Sequence, residues 1–141
     1  MNVETVDAAL TIGAVRKLWV GWGLSGLVIS FLLLDAVMKI LALPVVLEAG
    51  QSIGFQGVSM SRGLGTLLLA CTLLYAVPKT SVLGAVLVTA YLGGAVATHV
   101  RLSAPLFSHV LFGVYVGILL WGGLTLRLPA LFKLIPLLRA T

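Results

Sequence analysis

Six ionisable side chains stand at or near the ends of long apolar runs, where their chemistry is most constrained. Asp35 and Lys39 are four residues apart, so a helix places them on one face one turn from each other. Arg62, His99, Arg101 and His109 complete the set. A carboxylate inside a membrane span costs about 2.5 to 3.5 kcal/mol on insertion scales, so Asp35 demands a partner or a proton. Lys39 supplies one locally, and Arg62 or Arg101 can supply another from a neighbouring helix. Two readings stay open on these residues: a structural salt-bridge network, with Lys39 snorkelling, and a ligand or proton site.

The two histidines stand at one end of adjacent helices and so invite a haem or metal reading. Against it, His99 and Arg101 are two apart and so point to nearly opposite faces, and no further acidic or Cys ligand stands at metal spacing. No metal is expected. Gly93-Gly94 lies inside an apolar run and so forms no phosphate-cradling loop. Ser25, Ser30, Thr66, Thr72 and Thr89 are lone hydroxyls, expected to bond their own backbone or a facing helix. Cys71 is the single cysteine, which excludes an intrachain disulfide and a Cys-x-x-Cys redox pair.

What must position these residues is a membrane-embedded helical bundle. The 141 residues are 60% hydrophobic and 9% charged, with mean hydropathy +1.18, which excludes an ordinary soluble globule. The net charge of +5 comes from basic residues scattered between apolar runs, so the partner implied is a bilayer and not nucleic acid. At about 20 residues per crossing there is room for four spans and no soluble catalytic module. Arg16-Lys17 before Leu18 resembles the start of a signal peptide. The apolar run is longer than an h-region, however, and no Ala-x-Ala-like site follows, so it reads as a retained helix.

The expected fold is all-α: a polytopic, up-down-up-down four-helix transmembrane bundle with a short interfacial helix after the first span. Residues 1–17 form an N-terminal tail or surface helix, 18–128 a single four-span domain, and 129–141 a short C-terminal segment. Span one runs from about Leu18 to Leu43, where Pro44 removes a backbone donor and can open the next helix. Spans two, three and four cover about Met60 to Val77, Ser81 to His99 and Leu106 to Leu126.

An even number of spans puts both termini on one side. That side carries Arg16, Lys17, Lys79, Arg127, Lys133 and Arg139, against Lys39, Arg62 and Arg101 on the other, so both termini are expected in the cytoplasm. Trp19, Trp22, Tyr75 and Trp121 gather toward the terminal side, as interfacial aromatics do. Counting about 1.5 Å per residue from Trp19 sets Asp35 roughly 24 Å across, near the far edge of a core about 30 Å thick. The six ionisable residues therefore converge in one layer near the outer leaflet. Small residues mark close helix approaches, with Ala85, Thr89, Gly93, Gly94 and Ala97 on span three and Gly113 and Gly117 on span four.

In combination and order, several short elements resemble the DoxX-like family of the DoxX superfamily. They are Trp19 to Trp22, Leu34-Asp35 with Met38-Lys39, Tyr75 with Pro78-Lys79-Thr80, Gly84-Ala85, Tyr91-Leu92-Gly93-Gly94-Ala95, His99 with Arg101, and Trp121-Gly122-Gly123 with Arg127. The similarity runs from Trp19 to about Pro136. It implies a four-helix bacterial inner-membrane protein, with Asp35, Lys39, His99 and Arg101 as the family's polar motif positions. Some relatives are described as membrane subunits of a thiosulfate:quinone oxidoreductase or as parts of other membrane redox complexes, and a distant animal branch as a receptor-assembly chaperone. The family pattern has an acidic residue in span two near the place of Leu68 here, a departure that weakens a proton relay.

Two functions follow as expectations. One is an accessory subunit of a membrane redox complex that binds a quinone or lipid through Asp35, Lys39, Arg101 and His109, with walls from Phe31, Leu34, Leu102 and Phe112, and that needs a redox partner protein for electron chemistry. The other is a non-catalytic scaffold or assembly chaperone whose small-residue stripes meet a client or a second copy of the chain. A transporter is disfavoured by the short chain and by the lack of a matched internal repeat or an unwound midplane segment.

Overall fold

The computed structural model describes residues 3–131, with side chains described from residue 12 onward except that of His109. Lys133 and Arg139, counted above with the terminal side, lie outside the described residues. Every regular element described is helical: α1 (Val3–Ile40), α2 (Pro44–Ser52), α3 (Val58–Ala76), α4 (Ser81–Arg101), a π-helical turn (Leu106–Val110) and α5 (Phe112–Arg127). Four segments are long and apolar enough to cross a bilayer: Ile12–Ile40, Val58–Ala76, Ser81–Arg101 and Leu106–Arg127. Helix is what such a sequence must form, because lipid offers no partner to backbone N–H and C=O groups.

The spans close into a ring in which α1 packs on α3 and α5, and α4 packs on the same two helices. The inner faces are short stripes: Val28, Leu32 and Ala36 on α1, Leu68 and Tyr75 on α3, Ala85 and Val88 on α4, Val116, Leu120 and Leu124 on α5. Phe31, Leu34, Leu83, Val86, Ile118 and many other large apolar side chains point outward. Inside and outside are thus both apolar, and small size rather than hydrophobicity distinguishes the helix contacts. On α1, Gly21 and Ser25 meet Gly123 and Arg127 of α5, where a Cβ on Gly123 would stand 2.7 Å from Ser25 Oγ. At the α3–α4 hairpin a Cβ on Gly84 would lie 2.1 Å from the backbone nitrogen of Tyr75.

Helix α1 has 38 residues, about 57 Å at the usual rise, and so overshoots a hydrocarbon core of about 30 Å. The N-terminal residues prolong the first span without a break. At its other end α1 stops at Ile40, three residues before the expected boundary, in a left-handed turn at Ala42 (φ 52°). Leu43 N donates to Met38 O at 3.2 Å and Ala42 N to Lys39 O at 3.1 Å, the pairing of a Schellman cap. Pro44 then opens α2, the short helix anticipated from the sequence. The same device ends α4. Ser103 has φ 52°, Ala104 N donates to His99 O at 3.1 Å, Ser103 N donates to Val100 O at 3.0 Å, and Pro105 follows. Each half of the chain is therefore a span, a Schellman cap, a proline, a short helical element and a returning span. This internal correspondence is invisible to residue matching because Ala42 and Ser103 occupy positions that usually take glycine.

The fourth span differs from a uniform helix. Its first turn is a π-turn, set by the Pro105 nitrogen that cannot donate and by Val110 N and Leu111 N reaching back five residues to Pro105 O and Leu106 O.

Candidate functional site

At the end away from the termini, Asp35 and Lys39 form an ion pair on α1, both half-buried. Four carbonyls in the last turn of that helix would lack partners in isolation, and each finds one here. Val37 O accepts from Leu41 N, Met38 O from Leu43 N, and Lys39 O from Ala42 N and the Ser61 hydroxyl at 2.9 Å. Ile40 O accepts from Arg62 Nε at 3.2 Å. Arg62 thus caps α1 from the start of α3, and Asp35 takes its counter-charge from its own helix. The two helices come this close because Gly65 faces Ala36 and Lys39, where a Cβ would stand 2.8 Å from Ala36 O.

On α4, Tyr91 is half-buried and packs against the core. Arg101, exposed, leans over the loop after α2, where a Cβ on Gly54 would sit 3.7 Å from its Nη2. His99 is half-buried in the last turn of α4 and has an interaction partner. His109 lies in the π-turn, and its side chain is outside the described residues.

One turn from Asp35 along α1, Phe31 meets Phe112 edge to face, with ring centroids 5.5 Å apart and planes at 65°. Both rings are partly exposed toward lipid, as are Leu34 and Leu102. The arrangement joins a charged pair inside the bundle rim to an aromatic wall beside it. Chemically it suits an amphiphile whose head accepts or donates hydrogen bonds and whose tail lies along the helices. Among the described residues no three His, Cys, Asp or Glu side chains gather.

The small-residue stripes divide in two. Gly113 is a contact inside the bundle, where a Cβ would meet Val96 Cγ2 at 2.9 Å. Gly93, Gly94 and Gly117 have nothing within 4 Å of a would-be Cβ, and Ala97 is exposed. Gly93, Gly113 and Gly117 with Thr89, Val96 and Trp121 border a groove of about 440 Å³ between α4 and α5. Trp121 Nε1 donates to Thr89 Oγ1 at 2.9 Å across this seam. Thr66, Thr72 and Thr89 donate to carbonyls four residues back, and Ser25 meets the Tyr75 hydroxyl at 3.0 Å, as expected of them.

A second polar centre lies at the terminal end and was not anticipated. Tyr75, expected among the interfacial aromatics, is fully buried, its hydroxyl donating to Leu120 O at 2.9 Å. Arg127 is only 6% exposed and sits between the Trp22 and Tyr75 rings, 4.8 Å from each centroid. In sequence both residues read as ordinary helix-end anchors. The available signal was register, since Arg127 continues the inward stripe of Val116, Leu120 and Gly123.

Four antiparallel apolar helices with charges confined to the two rims define a polytopic helical membrane protein. Within that class, the DoxX-like family matches residues 23–123, and the chain belongs to this family. No curated protein and no solved structure matches it.

Proposed function

We propose that this DoxX-like protein is an accessory membrane subunit that binds the head of a quinone or lipid at the Asp35–Lys39 rim. It sits in a bacterial inner membrane with both termini cytoplasmic and passes its ligand to a redox partner protein. The observation that carries this reading is the half-buried Asp35–Lys39 pair set one turn from the lipid-exposed Phe31–Phe112 contact. A quinone carbonyl accepts from the Lys39 ammonium, the reduced hydroxyl donates to the Asp35 carboxylate, and the aromatic edge supports the ring or tail. The chain supplies binding and orientation, and electrons come from the partner. Quantifying quinone in protein gently extracted from its own membrane tests the proposal: stoichiometric quinone that falls in Asp35→Asn supports it, and protein that neither carries nor takes up quinone or lipid there refutes it.

A scaffold or assembly role is the second reading, favoured by the open groove at Gly93 and Gly117. Small residues with open space where a side chain would stand suit the close approach of another helix, from a client or a second copy. Gly117→Leu is expected to lower association in crosslinking if this reading holds.

A further inference from the structure

At the opposite end of the bundle, Gly13, Arg16, Lys17 and Val20 of α1 and Leu126 of α5 line a groove of about 350 Å³. Positions 13, 16, 17 and 20 recur at i, i+3, i+4 and i+7, so they form one continuous face of α1. The groove is mixed in character. Val20 and Leu126 give it an apolar floor, Gly13 leaves it open, and the exposed Arg16 and Lys17 supply two positive charges.

Among the described side chains of the protein, no acid lies near those charges. Its four acids are Glu4, Asp7, Asp35 and Glu48. Asp35 lies on the same helix 18 residues beyond Lys17, about 27 Å away along the axis, and Glu48 is in α2 at that same far end. The side chains of Glu4 and Asp7 lie outside the described residues. Arg127 follows Leu126 on α5 but turns inward between Trp22 and Tyr75 and does not line the groove. Its guanidinium is buried, and Nε and Nη1 have no hydrogen-bond partner among the described residues.

We infer that this groove holds an anionic phospholipid from the leaflet on the terminal side. The headgroup phosphate lies against Arg16 and Lys17, and an acyl chain follows Val20 and Leu126. Guanidinium and ammonium groups both bind phosphate, the first as a planar fork and the second as a point charge. The overshoot of α1 brings Arg16 and Lys17 to headgroup height, just beyond the exposed ring of Trp19. The site is separate from the Asp35 rim and stands or falls independently of it.

Native mass spectrometry of the intact purified protein, supplied in turn with phosphatidylglycerol and phosphatidylcholine, tests the inference. Phosphatidylglycerol is expected to bind in preference, with affinity falling about 5-fold for each cation removed and about 25-fold in Arg16→Gln/Lys17→Gln. Arg101→Gln, at the far end, is expected to keep the preference, and millimolar inorganic phosphate is expected not to compete. Because Arg16 and Lys17 are exposed, thermal unfolding in detergent should be the same in the double variant, which separates lost binding from lost folding. Equal retention of the two lipids, an unchanged preference in the double variant, or full competition by free phosphate would each overturn it.

Discussion

Arg127 binds Tyr75 twice, stacking its guanidinium 4.8 Å from the ring centroid and donating from Nη2 to the backbone carbonyl of the same residue at 3.0 Å. One side chain from the end of α5 thereby caps the C-terminus of α3 and presses against Trp22 of α1. The contact ties three spans together at the terminal end, as the Ser61 and Arg62 caps tie α1 to α3 at the other.

Arg127→Ala is expected to destabilise the bundle by about 2 kcal/mol, from the lost charge-assisted hydrogen bond and desolvated cation–π contacts. Thermal unfolding in a fixed detergent measures it, and an unchanged midpoint would show that Arg127 is passive.

Tyr75→Phe removes a hydroxyl that serves Leu120 O and Ser25 Oγ in a fully buried site, at a cost of about 1 to 3 kcal/mol for the groups left unpaired. Ser25→Ala shares that hydroxyl, so the double variant should lose less than the sum of the two single losses. Strict additivity in a double-mutant cycle would contradict the shared network.

Gly84→Ala forces a Cβ into the backbone of Leu74 and Tyr75, where the three nearest atoms lie within 2.5 Å. Overpacking of this kind costs about 1 to 3 kcal/mol, and backbone that cannot yield sets the upper end. Gly93→Ala meets nothing within 4 Å and is expected to leave monomer stability unchanged. Yield of folded, monodisperse protein from the two variants compares them directly.

Ala42→Gly and Ser103→Gly relieve the two left-handed caps, each expected to gain about 0.5 to 1 kcal/mol after the backbone entropy of glycine is counted. A lowered unfolding midpoint in both would contradict the cap assignment.

The bundle itself was legible because lipid leaves the sequence so few choices: four apolar runs, short polar connections and Pro44 at a helix start dictate it. Asp35 and Lys39 were legible for the same reason, as an i,i+4 charge pair in an apolar run has few other readings. Tyr75 and Arg127 were not, because an aromatic and a cation near a span end satisfy the interfacial rule equally well whether they face lipid or core. Nor could spacing separate Gly113, where a side chain would strike Val96, from Gly117, where one would meet open space, since the two sit four residues apart on one helix. The π-turn at Leu106–Val110 was hidden by uniform apolarity, with Pro105 as its one outward sign.

Native mass spectrometry of protein released gently from its own membrane shows whether the Asp35–Lys39 rim binds a quinone. The expected spectrum shows a quinone-mass adduct on the wild type, distinct in mass from a phospholipid held at Arg16 and Lys17. That adduct disappears in Asp35→Asn, a variant with unchanged helical content, and persists in Arg16→Gln/Lys17→Gln. A quinone-mass adduct that survives Asp35→Asn, or a wild type that carries none and takes up none when quinone is supplied, would leave the pair as a structural salt bridge.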